Sequence, residues 1–256
     1  NAHQCLDNIR IAQPLCKFVK EINEPSEIKD ALESAIKSSM TPPYGPSVIS
    51  IPINILACDA TEIAKTYGST LNKKVLSGKV SKYKIRLADI KKVIGMIKKS
   101  DKNMIVIGDG VVKTKGLFIL IKNFSKQTNI PVVATYSAKG VMGHANNLRF
   151  GVINSYINVI TEQKAIEATF NDIDNLILIG YDLSEHYPFA WTRGKKKTII
   201  NLSAYENIGH SIHPDINIIG DLSMMLNLLL KQTASIKKPS HPNIKSVRSQ
   251  FNLISK

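Results

Sequence analysis

From residue 87 onward, short apolar runs alternate with stretches of helical periodicity. Ile90, Val93, Ile94 and Ile97 share one face of a helix expected over 87–99, because residues three and four apart stack on the same side. An apolar run at 104–107 meets Gly108-Asp109-Gly110, a helical stretch follows at 114–128, and a second run occupies 131–135. After a loop holding Gly140, Gly143 and Gly151, the pattern predicts a helix at about 161–169 and a strand at 176–179 ending at Gly180. Further strands are expected at 198–202 and at 217–219, the last ending at Gly220-Asp221 before a helix to about residue 230. Near-continuous apolar strands separated by amphipathic helices imply a parallel sheet covered on both faces, since parallel neighbours need crossover connections.

The expected fold class is therefore α/β: a doubly wound, mainly parallel, Rossmann-like sheet preceded by a partial α/β domain. Ligands of such sheets lie beyond the carboxyl ends of the strands, which here are Gly108, Thr135, Gly180, Leu202 and Gly220. Before residue 60 the pattern carries one helix opening at Pro25-Ser26-Glu27, with Ile28, Leu32, Ala35 and Ile36 on one face, and one strand at 47–51. The polar, Lys-rich stretch 60–86 reads as a linker, 87–231 as the central domain, and the Pro-rich stretch 232–256 as a second linker towards a further domain.

Composition narrows this picture. With 256 residues, 43% of them hydrophobic, the chain can bury a sizeable core. No apolar run approaches the roughly 20 residues of a membrane span. The start at Asn1 lacks a signal-peptide pattern, so the sequence is expected to begin mid-protein or after processing. Cys5, Cys16 and Cys58 form no CxxC pair and point to a reducing compartment, with cytoplasm as the expectation. A net charge of +14 raises nucleic acid as a partner. The excess is diffuse, however, and almost wholly lysine, so a solvated basic face is expected instead.

Few motifs carry chemistry. Gly108-Asp109-Gly110 lets a backbone approach a phosphate, yet it is no GxGxxG fingerprint, and a tight turn without ligand reads equally well. His210 and His213 have an HxxH spacing with no third ligand, which reads as surface rather than metal site. No GxSxG elbow, HExxH or Walker loop occurs, so hydrolase and phosphotransferase readings lack residues.

Several segments, in order, resemble one family. His3-Gln4-Cys5-Leu6-Asp7, Pro14, Lys17-Phe18 and the helix and strand ending at Ile51-Pro52 are similar to the close of the pyrimidine-binding domain of acetolactate synthase-type thiamine-diphosphate enzymes. Ile107 to Gly110, Pro131 to Thr135, Ala138-Lys139-Gly140, Gly151, Ile179 to Asp182 and Gly220-Asp221 resemble that family's central domain. Gly180-Tyr181-Asp182 with Glu185, Tyr187-Pro188 and Trp191 resembles its catabolic, acetolactate synthase-like branch.

The resemblance implies a homo-oligomeric, three-domain enzyme that uses thiamine diphosphate and Mg2+ to decarboxylate a 2-keto acid such as pyruvate and join the remainder to a second keto acid. The activating glutamate would precede Asn1 and the metal-binding GDG and Asn-Asn would follow Lys256, so the chain alone is expected to be inactive. Asn146-Asn147 stands too far from Gly108-Asp109-Gly110 to complete that motif here. Of the catalytic positions only Gln4 is implied. The central domain binds the ADP part of FAD in some members, and the matching cofactor positions are Gly108, Asp109, Gly110, Thr135, Tyr136, Ser137, Gly151, Gly180, Tyr181, Asp182, Gly220 and Asp221. Leu202 stands where many members place an acid for the ribose, and a non-catalytic nucleotide-binding or subunit-contact module is the alternative.

Overall fold

The computed structural model describes residues 6–59, 61, 64–65, 83–153, 170–185, 195–206, 212–234 and 236. Most of both expected linkers, the helix at 161–169, Gln4, His210, Tyr187-Pro188 and Trp191 lie outside the described residues. The chain divides into two compact units, Asn1–Ser81 and Lys82–Lys256.

In the first unit, α1 (Asn8–Ala12) precedes a β-α-β arrangement: β1 (Phe18–Glu21), α2 (Ile28–Met40) and β2 (Ser47–Ser50), with the short α3 (Ile53–Leu56) after it. The two strands pair in parallel, Phe18 opposite Ser47, and Ile22, Ala31 and Ile55 form the small core. The helix buries Ala31 and Ala35, whereas Leu32, expected on that face, is exposed. Its entry is tied by Glu27, whose carboxylate accepts the Asn23 N–H and a bond from Lys20 Nζ. At its exit Lys17 Nζ donates to the Ser38 and Thr41 carbonyls, satisfying oxygens that a helix end leaves unpaired.

The second unit holds a six-stranded parallel sheet. Its elements are α4 (Leu87–Lys99), β3 (Asn103–Ile107), α5 (Asp109–Lys113), α6 (Leu117–Thr128), β4 (Val132–Ala134), β5 (Arg149–Val152), β6 (Asn175–Ile179), β7 (Thr198–Ser203), β8 (Ile216–Ile219) and α7 (Leu222–Thr233). The spatial order β5-β4-β3-β6-β7-β8 reverses direction between β3 and β6, which is the topological switch point of a doubly wound sheet. Both central strands are buried along their whole length, as strands covered on two faces must be.

Alternation divides their side chains between two cores. Ile105, Ile107, Ile177, Ile179, Ile200 and Leu202 pack with α4, α6 and α7. Met104, Val106, Leu176 and Leu178 pack on the other face with Phe150, Phe170, Ile173 and Tyr181. The four residues expected to face inward from α4 are its buried residues.

Two expectations are corrected. The helix expected over 114–128 begins only at Leu117, because Gly116 adopts a left-handed backbone (φ 77°) and starts α6 afresh, while residues 109–113 form the separate short helix α5. The stretch expected as a loop around Gly151 contains β5, an edge strand whose register with β4 shifts between Val132 and Val133. Four residues, one of them glycine, leave no periodicity to read.

At the amino edge, two buried asparagines clamp the central pair. Asn175 Nδ2 donates to Asn103 Oδ1 at 2.7 Å and to the Met96 carbonyl at 3.0 Å. Asn103 Nδ2 donates to the carbonyls of Ile97 and Ser100. These bonds close the carboxyl end of α4 while fixing β3 beside β6. Asn103→Ala strips the donor from these carbonyls, and urea unfolding should show a loss of about 2 kcal/mol.

Candidate functional site

The candidate site is the carboxyl edge of the sheet at the switch point, where the turns after β3 and β6 diverge. These turns touch. Gly108 N donates to Ile179 O, Gly110 N to Gly180 O at 2.9 Å, and Gly180 N to Leu202 O. A Cβ at Gly108 would lie 2.6 Å from both Gly180 O and Tyr181 Cα, and one at Gly110 would lie 2.9 Å from Gly180 Cα. The sequence supplies glycine at 108 and 110 because backbone packs directly on backbone. Gly180 adds a second requirement, a left-handed φ of 56°.

Over these turns sits Glu185. Its Oε2 accepts the Asp109 N–H at 2.7 Å and its Oε1 accepts the Thr135 hydroxyl at 3.0 Å, so one carboxylate joins the ends of β3, β4 and β6. Asp109 turns its own carboxylate to Lys113, and the bond to Asp109 raises the Lys113 pKa. Asp182 Oδ1 accepts from Ser184 N and Oγ, and its Oδ2 accepts from Tyr205 Oη at 2.6 Å. Burial alone would push Asp182 up, yet the bonds from Tyr205 and Ser184 hold it below the ordinary aspartate value. Tyr205 is pushed up by burial and by the Asp182 carboxylate.

The expected cofactor positions therefore separate. Gly108, Asp109, Gly110, Thr135, Gly180 and Asp182 converge at the switch point. Tyr181 is fully buried in the second core, whereas Tyr136 and Ser137 are exposed beside Thr135. Gly151 lies within β5. Gly220 is packed by Ile85, whose Cγ1 would be 3.0 Å from an added Cβ. Asp221 caps α7, accepting the Met224 N–H at 2.8 Å. Leu202 is core, and the residue ending β7 is Ser203. Asn146-Asn147 precedes β5 at the amino edge of this parallel sheet, opposite the Gly108 turn.

Sequence reasoning missed Lys113 and Tyr205 as members of the site and used Glu185 only as a mark of resemblance. A carboxylate five residues beyond a glycine turn was the one available signal for Glu185. The residues do not suit a nucleotide diphosphate: the space against Gly108 is filled, and the groups facing it include three carboxylates.

Gly180→Ala should lower stability by more than about 2 kcal/mol, adding a clash to the left-handed penalty. Gly95→Ala, mid-helix with no atom within 4 Å of the added Cβ, should raise it by about 0.5–1 kcal/mol. Thermal unfolding checks both. Because the folded Asp182 pKa is depressed, its stabilisation is present above the unfolded value of about 3.9 and is lost as pH falls through the folded value. The destabilisation caused by Tyr205→Phe should accordingly be largest near neutral pH and shrink below about pH 4 in chemical unfolding series.

Comparison with known proteins places this arrangement. The chain is 25% identical over 228 residues to acetolactate synthase of Bacillus subtilis (strain 168), covering 88% of this chain and 37% of the relative. It is 21% identical over 238 residues to glyoxylate carboligase of Escherichia coli O157:H7, with 92% and 38% covered. It is 26% identical over 233 residues to a probable acetolactate synthase large subunit of Methanocaldococcus jannaschii, with 90% and 38% covered. The chain thus spans less than two fifths of the length of these relatives. Among the described residues, no helix is long and apolar enough to cross a membrane. The family described as thiamine pyrophosphate enzyme, central domain, matches residues 90–229, more than half of the chain and all six strands of the larger sheet, so the chain belongs to the thiamine pyrophosphate enzyme family.

Proposed function

We propose that this chain is the middle of an acetolactate synthase-like carboligase: the close of a pyrimidine-binding domain (1–59), a linker (60–86), the central domain (87–231) and a linker to a further domain (232–256). The observation that carries this reading is the central-domain match together with relatives named acetolactate synthase and glyoxylate carboligase. On this reading the whole enzyme takes a 2-keto acid such as pyruvate, releases carbon dioxide and joins the remaining carbons to a second carbonyl compound. Thiamine diphosphate and Mg2+ supply the carbanion chemistry when bound.

The contribution of the described residues of the central domain is structural: a parallel sheet whose turns close its switch point. Gln4 is proposed beside the substrate. Assembly into homo-oligomers and a cytoplasmic setting complete the proposal, the latter supported by cysteines without disulfide spacing. A second reading, a non-catalytic subunit-contact module, is favoured by the exposed apolar side chains Val112, Phe118 and Ile119 on α5 and α6.

Incubated with pyruvate, thiamine diphosphate and Mg2+, these 256 residues alone should form no acetolactate in a colorimetric assay. Turnover would show that the reacting groups lie within this stretch and would remove the division of labour proposed above.

A further inference from the structure

The switch-point crevice, where open α/β sheets hold ligands, already contains a carboxylate of the chain itself. Glu185 takes the two donors that an incoming anion would use, the Asp109 N–H at 2.7 Å and the hydroxyl of fully buried Thr135 at 3.0 Å. Its Oε2 fills the space over Gly108, 2.7 Å from where a Cβ would stand, and Gly180 O and Tyr181 Cα close the remainder at 2.6 Å. A phosphate entering here would have to displace Glu185 and would then face Asp109 and Asp182, with Lys113 already bonded to Asp109.

We propose that Glu185 is a resident anion that closes this crevice to nucleotides, so that the central domain holds neither ADP nor FAD there and the carboxylate does the joining that a bound phosphate would otherwise do. It ties the ends of β3 and β4 to the segment that follows β6, and its negative charge matches the N–H and O–H it meets. A nucleotide would gain the same donors only after breaking those bonds and approaching like charges, which is unfavourable on both counts. The inference deepens the reading of this unit as a structural central domain, and its test involves no turnover, so failure of the carboligase reading leaves it intact.

Titration calorimetry of the full 256-residue chain with ADP and with FAD should give no saturable heat; saturable binding of either that Tyr136 or Thr135 substitutions weaken would overturn the proposal. Glu185→Ala should unfold at a lower temperature, and formate or inorganic phosphate should raise its midpoint in a saturable manner while leaving the wild-type midpoint less affected. Equal responses of the two proteins would overturn it. Should Glu185→Ala fail to fold, Glu185→Gln keeps the shape and one acceptor. Its midpoint should fall through loss of the charge, and an unchanged midpoint would equally overturn the proposal.

Discussion

Two stretches of backbone, 108–110 and 180–181, lie against each other with no side chain between them, and the architecture of the central domain follows from that contact. The direct hydrogen bond from Gly110 to Gly180 holds the ends of β3 and β6 together where the chain changes direction in the sheet. The strands on either side, β4 and β5 to one flank and β7 and β8 to the other, take their places from this central pair. The asparagines at the opposite edge perform the complementary task, so the pair is pinned at both ends while its length is held by apolar packing on two faces.

The layered fold was legible in the sequence because its signals are periodic. Ile90, Val93, Ile94 and Ile97 recur at helical spacing, and short runs such as Leu176-Ile177-Leu178-Ile179, ended by Gly180, fit a strand covered on both sides. Elements without such a signal went unread. Strand β5 has four residues with a glycine among them, β1 mixes Lys20 and Glu21 with Phe18 and Val19, and the break at Gly116 depends on a backbone angle that neighbouring residues do not announce.

The site was legible in location but less so in role. Glycine after a strand has two physical meanings, close approach of a ligand or close approach of another turn, and only the distance between residues 110 and 180 separates them. Asp221 reads as a ligand position until its bond to Met224 N makes it a helix cap. Tyr205 could not be assigned from sequence, since its partner Asp182 is 23 residues away on a different turn. Ser203 rather than Leu202 ends β7 because a strand's last residue is fixed by its neighbour's register, here Ser203 opposite Ile219.

The pairing of Asn103 with Asn175, 72 positions apart, carries a consequence for how the domain comes to exist. The innermost strands of the sheet are distant in sequence, and β4 and β5 are made between them. A large loop must therefore close before the two buried amides can meet, and loop closure costs entropy that is recovered only when the contacts form. Pairing of β3 with β6 is consequently a long-range contact, and until it forms the backbone edges of both strands stand open. Such open edges are the surfaces through which an incompletely folded chain pairs with another.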